Sequence, residues 1–193
     1  MPNNRNGYCE WANSSEEYIS YHDKEWGIPE YKDKKLFEML ILESFQAGLS
    51  WITILKKRNN FKLAFDDFNP MIIANYNNKK IDELMKNEGI IRNHKKIIST
   101  INNAQIYRKK FCKPKSFSNF FWGYVNYKPL VNSRKKLSEI PSHSNISEQI
   151  SKELKILGFK FCGPVVIYSF MQATGMVNDH LISCPHYLKC QKD

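Results

Sequence analysis

The sequence has no apolar run long enough to cross a membrane. Its apolar runs, of which "PVVIYSFM" from Pro164 is typical, are far shorter than the ~20 residues that a membrane-spanning helix needs. The amino-terminal stretch "MPNNRNGYCE" also lacks the basic and then apolar layout of a signal peptide. These absences predict a soluble, cytoplasmic protein without a membrane partner.

Cysteine is scarce and unevenly spaced. The sequence has five: Cys9, Cys112, Cys162, Cys184 and Cys190. An odd number in a chain without a secretion signal argues against a disulfide framework. The pattern favours buried thiols and metal ligands.

Acidic residues are outnumbered by basic ones. Nineteen Asp and Glu face 29 Lys and Arg, which gives a formal net charge of +10, and the cations fall in short groups such as "LKKR", "RNHKK" and "SRKK". Such a surplus favours a polyanionic partner, because each neutralised phosphate releases counterions. Solvated lysines on helix faces would explain the same charge equally well.

Strand-like alternation is also scarce, and the sequence shows no internal repeat. Apolar residues recur instead at helical spacing, as in Leu36, Leu40 and Phe45. Helix start signals occur at Ser15, at Asp33, at Asn69 before Pro70, and at Asn145 with Glu148 as a capping box. The pattern predicts an all-α fold of roughly eight to ten short helices.

The length of 193 residues suits one domain with a sizeable core, or two small lobes that share a cleft. The polar stretch from Lys128 to Asn145 is predicted to be a long loop or a connection between lobes. One domain over residues 1–193 is the simpler prediction, and we expect it to act as a monomer.

Candidate metal ligands lie near both ends of the sequence. Cys9 and His22 are near one end, and His180 and Cys184 are near the other. Residues four apart on a helix or tight turn face the same way, so the second pair can share one metal ion. A Cys2His2 zinc site would join segment 9–22 to segment 180–184. His186 and Cys190 are nearby alternatives, and a buried cysteine is commonly just a small apolar side chain.

A helical hairpin is predicted at about residues 150–175. Within it, "LGFKFCGPVVIYSFMQATG" from Leu157 has Gly158 to end one helix and Pro164 to begin the next, with Lys160 and Gly163 in the turn. Such a turn directs backbone N–H groups at a phosphate without reading any base. A plain helical hairpin without that role has the same pattern.

Four aromatic residues surround one carboxylate in the first 51 residues. Trp11, Tyr21, Trp26 and Trp51 lie near Glu43 in the sequence. Aromatic residues are usually core residues, but a buried carboxylate needs a partner. An aromatic box with one carboxylate suits a flat, cationic ring better than it suits a core.

Together these segments resemble one family, the 3-methyladenine DNA glycosylases I of the helix-hairpin-helix superfamily. The resemblance is carried by "CEWA" at Cys9, "YHDKEWGIP" at Tyr21, "LFEMLILESFQAGLSWITILKKR" at Leu36, "GIIRNHKKI" at Gly89 and "GFKFCGPVVIYSFMQATGMVNDH" at Gly158.

The resemblance implies an all-α glycosylase fold and specific site residues. It implies one structural zinc ion per chain, held by Cys9, His22, His180 and Cys184. It implies a base pocket that contains Trp11, Tyr21, Trp26, Glu43 and Trp51. It implies a DNA-contacting hairpin with Gly158, Lys160 and Gly163.

The implied activity is removal of 3-methyladenine from alkylated double-stranded DNA. The base would be flipped out and released free by hydrolysis, starting base excision repair at the bacterial nucleoid. Glu43 is the expected functional carboxylate, for recognition and electrostatic support. Asp179 is the other candidate, although beside His180 it could orient the metal shell instead. Leu49 is a candidate wedge into the DNA stack, or else a core leucine.

The hairpin glycine is followed by Pro164 and two valines where a glycosylase with lyase activity would need a nucleophilic lysine. A monofunctional hydrolase is therefore expected. Two alternatives stay open: a glycosylase with a shifted base preference, and a basic DNA-binding protein, stapled by zinc, that has no catalytic activity.

Overall fold

The fold is mostly helical. The computed structural model describes residues 5–112 and 116–191. Within these ranges the α-helices, numbered α1 to α10, are Glu16–Lys24, Asp33–Gln46, Trp51–Ala64, Pro70–Ile73, Asn78–Lys86, His94–Lys110, Phe117–Gly123, Asn145–Leu157, Pro164–Ala173 and Pro185–Lys189. Short 3-10 helices occupy Glu10–Asn13, Asp66–Phe68 and Leu137–Glu139. The predicted all-α class is confirmed.

Two short strands anchor the segment between α7 and α8. Strand β1, Leu130–Val131, pairs in parallel with β2, Val177–Asn178, and Arg134 bridges Leu181 further along. The stretch predicted as a loop or an inter-lobe connection therefore packs beside the chain that follows α9. This contact brings its 3-10 helix to the site described below.

Local start signals fix several helix ends. The side chains of Ser15 and Asn69 each accept a backbone N–H at the start of α1 and α4, as predicted. The prediction at Asn145 was wrong by one residue, because Ser144 is the N-cap and forms a capping box with Ser147. Two neighbouring residues could both cap, and the serine hydroxyl is the one that reaches the backbone.

Helix α2 is the central helix. All ten residues from 36 to 45 are buried, and α3, α6, α7 and α9 pack around it. A helix that is apolar on nearly every side needs such cover. Its buried Glu38 is paired, accepting from Arg58 Nε and Lys35 Nζ, each at 2.9 Å. An ion pair of this kind satisfies a carboxylate in the core.

One continuous hydrophobic cluster runs through the described residues from Cys9 to Cys184. The one-domain organisation stays a prediction, and this core is consistent with it. Across residues 5–112 and 116–191, no helix combines the length and apolar character required to span a membrane.

Candidate active site

A cavity of about 430 Å³ opens beside α2. It contains all five residues predicted for a base pocket. The lining residues are Trp11, Tyr18, Tyr21, Trp26, Glu43, Gln46, Trp51, Leu137, Ile140, Ser169 and Gln172. Its size and its mixture of aromatic and few polar groups are typical of a small-ligand site.

The aromatic side chains hold one another in place. Trp11 packs against Trp26 with ring centroids 5.0 Å apart at 79°, and Tyr21 lies 5.4 Å from Trp51. These edge-to-face and tilted contacts are the favoured geometry of aromatic pairs. The indole Nε1 of Trp51 is buried and has no hydrogen-bond partner within the described part of the chain. A ligand acceptor could satisfy it.

Glu43 is a buried acid to which no other residue of the described ranges donates a hydrogen bond. Its side chain is 4% exposed, and residues 5–112 and 116–191 provide it with no hydrogen bond or ion pair. Burial raises the pKa of Glu43 to about 8. The pKa of the Tyr21 phenol is also raised, by burial and then by the charge of Glu43. An unsatisfied titratable group in a cavity is a mark of a functional site.

Asp179 is also fully buried but is saturated with donors. Its Oδ1 accepts from Asn132 Nδ2 at 2.8 Å and Arg134 Nε at 3.3 Å. Its Oδ2 accepts from Tyr168 Oη at 2.6 Å and Gln172 Nε2 at 2.8 Å. A carboxylate has about four lone-pair sites, so no site is left for a ligand.

The hairpin has the predicted geometry. Helix α8 ends at Gly158, whose φ of +98° lies in the left-handed region, and Gly163 is the N-cap of α9. Lys160 in the turn is exposed. A side chain at Gly163 would meet nothing within 4 Å, so packing does not require glycine there. The first N–H groups of α9 have no intrahelical acceptor and can bind an anion.

Two asparagines of α6, which the sequence analysis missed, fix this turn. Asn103 accepts from the backbone N–H of Lys160 at 2.8 Å and donates to its carbonyl at 3.0 Å. Asn102 donates to the carbonyl of Gly158 at 3.0 Å. Two adjacent asparagines inside a helix, where they are poor helix formers, were the available signal.

The turn between α2 and α3 lies at the edge of the cavity. Leu49 is 38% exposed there and is therefore not a core leucine. Lys96, buried at the start of α6, donates to the carbonyls of Phe45 at 2.8 Å and Ala47 at 2.7 Å. A cation that caps the last carbonyls of a helix fixes the direction in which the chain leaves it.

The four predicted metal ligands come together in one buried cluster. The ligand atoms of Cys9, His22, His180 and Cys184 all lie within 4.8 Å of one another. Cys184 Sγ is 3.6 Å from His22 Nε2 and 3.7 Å from His180 Nδ1, and Cys9 Sγ is 3.6 Å from His180 Nδ1. A zinc tetrahedron with ordinary bond lengths separates sulfur from nitrogen by about 3.6 Å. The donor set fits zinc.

The surroundings orient both imidazoles for this use. His22 Nδ1 lies 2.8 Å from Asp23 Oδ1, and His180 Nε2 lies 3.1 Å from the carbonyl of Trp26. Each histidine thus turns its other nitrogen toward the cluster, as metal-binding histidines do. Gly27 allows this close approach, because a Cβ there would lie 2.7 Å from His180 Nε2. Among the described residues, the four hydrogen bonds of Asp179 go to other side chains and to neither imidazole.

The thiols of the cluster are electrostatically unequal. The pKa of Cys184 is lowered by its hydrogen bonds with Cys9 and with the two imidazoles, whereas that of Cys9 is raised by Cys184 and by burial. One thiolate is therefore already favoured, and thiolates are the metal-binding form. His186 instead belongs to a second group with His22 and Asp23. Cys190 is buried outside both groups.

Several residues that line the cavity were not predicted from the sequence. Ser169 and Gln172 come from α9, while Leu137 and Ile140 come from the segment predicted as a loop. Ser169 and Gln172 are polar, three apart and set in an otherwise apolar helix, which places them on one face. That pattern was the available signal. The loop residues gave none.

An all-helical fold in which a helical hairpin adjoins an aromatic pocket is the architecture of the helix-hairpin-helix DNA glycosylases. Comparison with known proteins narrows the class. The sequence model of the methyladenine glycosylase family matches residues 11–187. The chain belongs to this family.

Similar proteins match this chain over nearly its whole length. The DNA-3-methyladenine glycosylase 1 of Escherichia coli is 46% identical over 179 residues, which is 93% of this chain and 96% of that protein. The DNA-3-methyladenine glycosylase of Haemophilus influenzae is 45% identical over 92% of this chain and 96% of that protein. The solved 3-methyladenine DNA glycosylase I of Staphylococcus aureus superposes with a TM-score of 0.89 at 40% identity, covering 96% of each chain.

Proposed function

We propose that this protein is a monofunctional DNA glycosylase that removes 3-methyladenine from alkylated DNA by hydrolysis. The observation that carries the proposal is Glu43, a buried and unpartnered acid among aromatic rings in a cavity of about 430 Å³. Membership in the methyladenine glycosylase family supplies the substrate class. In a bacterium this substrate lies in the cytoplasmic nucleoid.

The chemistry demands little acid catalysis. Methylation at N3 puts a positive charge on adenine, which makes the base a good leaving group. Glu43 would attract this cation and accept a hydrogen bond from the exocyclic amine. The cation would in turn stabilise the ionised form and draw the pKa of Glu43 down from about 8. As the bond breaks, the sugar becomes cationic, and the same negative charge stabilises it.

The aromatic residues provide selection. A cationic ring gains roughly 1–2 kcal/mol from contact with the face of an indole, and neutral adenine lacks this term. Trp51 is the proposed stacking partner, and Trp11 and Trp26 line the same cavity. Tyr21 would bond the purine edge through its phenol. Unstacking costs least for damaged bases, so flipping itself adds to the preference.

The hairpin and the α2–α3 turn would hold the DNA. The free N–H groups at the start of α9 and the ammonium of Lys160 suit phosphate oxygens and carry no sequence information. Leu49, exposed beside the cavity, could fill the gap that the flipped base leaves. Both features favour double-stranded DNA as the partner.

The zinc ion would have a structural role. Cys9, His22, His180 and Cys184 would occupy all four positions of a tetrahedral ion, which leaves none for water or substrate. The ion would tie residues 9–22 to residues 180–184. No step of the reaction needs it.

The absence of a lysine after Gly163 supports hydrolysis without strand cleavage. Lys160 precedes that glycine and is exposed on the turn. The nucleophile would be water, and the product would be free 3-methyladenine with an abasic site. An abasic site whose strand is cut by this enzyme alone would contradict the proposal.

Release of free base from methylated duplex DNA tests the function. The wild type is expected to release 3-methyladenine, and Glu43→Gln to lose about 10²-fold or more of the rate, because it lacks the charge but keeps the shape. No release by the wild type would refute the proposal. A fully active Glu43→Gln would refute the role of Glu43.

The same assay separates the two alternatives. A glycosylase with shifted preference would release another methylated purine faster than 3-methyladenine. A non-catalytic DNA-binding protein would bind duplex and release nothing. The unpartnered carboxylate argues against the second alternative, since a structural binder gains nothing from burying one.

A further inference from the structure

The side-chain amide of Gln172 adds a polar group to the lining of the cavity, in addition to Glu43. Its Nε2 donates to Asp179 Oδ2 at 2.8 Å, and Gln172 also lines the cavity. An amide has one nitrogen and one oxygen end, so the end that is not bound to Asp179 is the carbonyl oxygen. Within the described residues that oxygen accepts no hydrogen bond, so Gln172 can offer it to a ligand, together with its second amide N–H.

Asp179 prevents the amide from turning over. A carboxylate paired with Arg134 accepts hydrogen bonds and offers none, so it can only face the nitrogen end of Gln172. Tyr168 donates to the same oxygen at 2.6 Å and fixes its position. The backbone of Gln172 is held as well, because its carbonyl accepts from Gly27 N at 3.0 Å. The amide orientation is therefore determined by its surroundings.

An acceptor at this place has one strong donor to meet on the proposed substrate. In 3-methyladenine attached to its sugar, the N–H groups of the base are those of the exocyclic amine. We propose that Gln172 is a specificity-determining residue whose carbonyl oxygen accepts from this amine, and that Asp179 is the positioning residue that presents it. This inference rests on the proposed function and adds to it the recognition of the exocyclic amine by Gln172.

The inference also assigns a use to Asp179, whose four acceptor sites are all occupied. Its donors Asn132 and Arg134 come from the segment that also supplies Leu137 and Ile140 to the cavity. Tyr168 and Gln172 come from α9. Asp179 thereby links two walls of the cavity. In the wall formed by α9, it fixes the orientation of the Gln172 amide.

A thermodynamic cycle with two free bases tests the role of Gln172. The dissociation constants of 3-methyladenine and of 3-methylpurine, which lacks the amine, are measured for the wild type and for Gln172→Met by the change in tryptophan fluorescence. The preference of the wild type for 3-methyladenine is expected to fall by about tenfold in Gln172→Met, the value of one hydrogen bond in a desolvated site. Effects of ring basicity cancel, because both proteins meet the same two ligands.

Two further variants test Asp179. Asp179→Asn puts an amide beside Gln172 that can itself donate, and it is expected to reduce the same preference while metal content stays unchanged. Asn132→Ala removes another donor of Asp179 but leaves Gln172 in place, so the preference should hold. A full preference in Asp179→Asn, or an equal loss in Asn132→Ala, would overturn the positioning role.

The outcomes for this inference and for the proposed function are distinct. If the wild type releases no 3-methyladenine from methylated DNA, the proposed function fails. If it does release the base and the ratio of the two dissociation constants is the same in wild type and Gln172→Met, only the role of Gln172 fails.

Discussion

Glu43 differs from the two other acids described in the interior, because nothing in the described chain donates to it. Glu38 meets Arg58 and Lys35, and Asp179 meets four donors. Burying a charge without a partner costs stability, so a protein retains such a group where a ligand supplies the partner. The contrast between paired and unpaired acids identifies the site more sharply than burial does.

Replacing Glu43 by glutamine is expected to stabilise the protein at alkaline pH. The pKa of Glu43 is raised to about 8 in the folded state from an ordinary 4.5, so between these values the folded state binds more protons than the unfolded state. The free energy of unfolding then falls as pH rises through this window, by up to about 4 kcal/mol in the wild type relative to Glu43→Gln. Denaturant unfolding of both proteins at pH 5 and pH 9 measures this difference.

Glu38→Gln is the matched control. Glu38 lies in the same helix as Glu43, but its pKa is shifted in the opposite direction. Burial works against the ionised form of Glu38, but the charges of Arg58, Lys35 and Lys62 outweigh it and lower its pKa. That variant should lose stability near neutral pH. An equal pH dependence in wild type and Glu43→Gln would contradict the raised pKa.

Helix α6 holds both of the elements that we propose to face DNA. Through Lys96 it holds the turn after α2, and through Asn102 and Asn103 it holds the hairpin. A single rigid helix therefore sets the distance between the proposed wedge residue and the proposed phosphate site. Precise placement of this kind is what substrate positioning requires.

Lys96→Met is expected to reduce both stability and base excision. The substitution keeps the aliphatic chain but leaves the carbonyls of Phe45 in α2 and of Ala47 just after it without their buried donor, at a cost of about 1–3 kcal/mol. Lys95→Met is the matched control, because Lys95 is exposed and the charge lost is the same. Denaturant unfolding and excision rates compare the two. Equal behaviour would mean that the cap has no influence on the turn.

The elements were largely predictable because their signals are local. Ser15 and Asn69 cap helices through bonds two or three residues away, and Gly158 and Pro164 mark the hairpin by their own backbone preferences. The capping prediction at Asn145 failed because Ser144 beside it competes for the same role. Local physics leaves such one-residue ambiguities.

The site was predictable only in its amino-terminal half. Trp11, Tyr21, Trp26, Glu43 and Trp51 are close in sequence, and their resemblance to a family grouped them. Leu137, Ile140 and Gln172 reach the same cavity through the β1–β2 pairing and the packing of α9 on α2. A single sequence does not specify long-range contacts of this type, because Leu137 and Ile140 resemble ordinary loop residues and the polar pair in α9 does not show which other elements it meets.

Over the whole molecule, we expect one zinc ion per chain. Cys184→Ser should lose about one equivalent of zinc and much of the thermal stability, since binding free energy at such a site is also folding free energy. Cys190→Ser is the control, because Cys190 is a buried thiol nearby that lies outside the four-residue cluster. Metal analysis and melting temperatures report the result. Full zinc content in Cys184→Ser would rule out the site.

The net charge of +10 predicts strongly salt-dependent binding to undamaged duplex DNA. The logarithm of the affinity should fall linearly with the logarithm of salt concentration, because bound cations displace counterions. Lys160→Met should reduce the slope by about one if Lys160 contacts a phosphate. Binding titrations at several salt concentrations measure both slopes. An affinity that does not change with salt concentration would mean that the basic residues are ordinary surface residues without a role in DNA binding.

The four-residue cluster of Cys9, His22, His180 and Cys184 and the cavity each combine side chains from distant parts of the chain, and this has a consequence for the order of synthesis. A ribosome makes the amino-terminal part first, so a growing chain has Glu43 and its aromatic neighbours long before Gln172 exists. Until then the cavity around Glu43 lacks the wall that Ser169 and Gln172 form. The buried environment of Glu43 is complete only when α9 closes the cavity, and Cys184 must follow before the four-residue Cys and His cluster is complete. The ability to capture a damaged base is therefore among the last properties that the growing chain acquires.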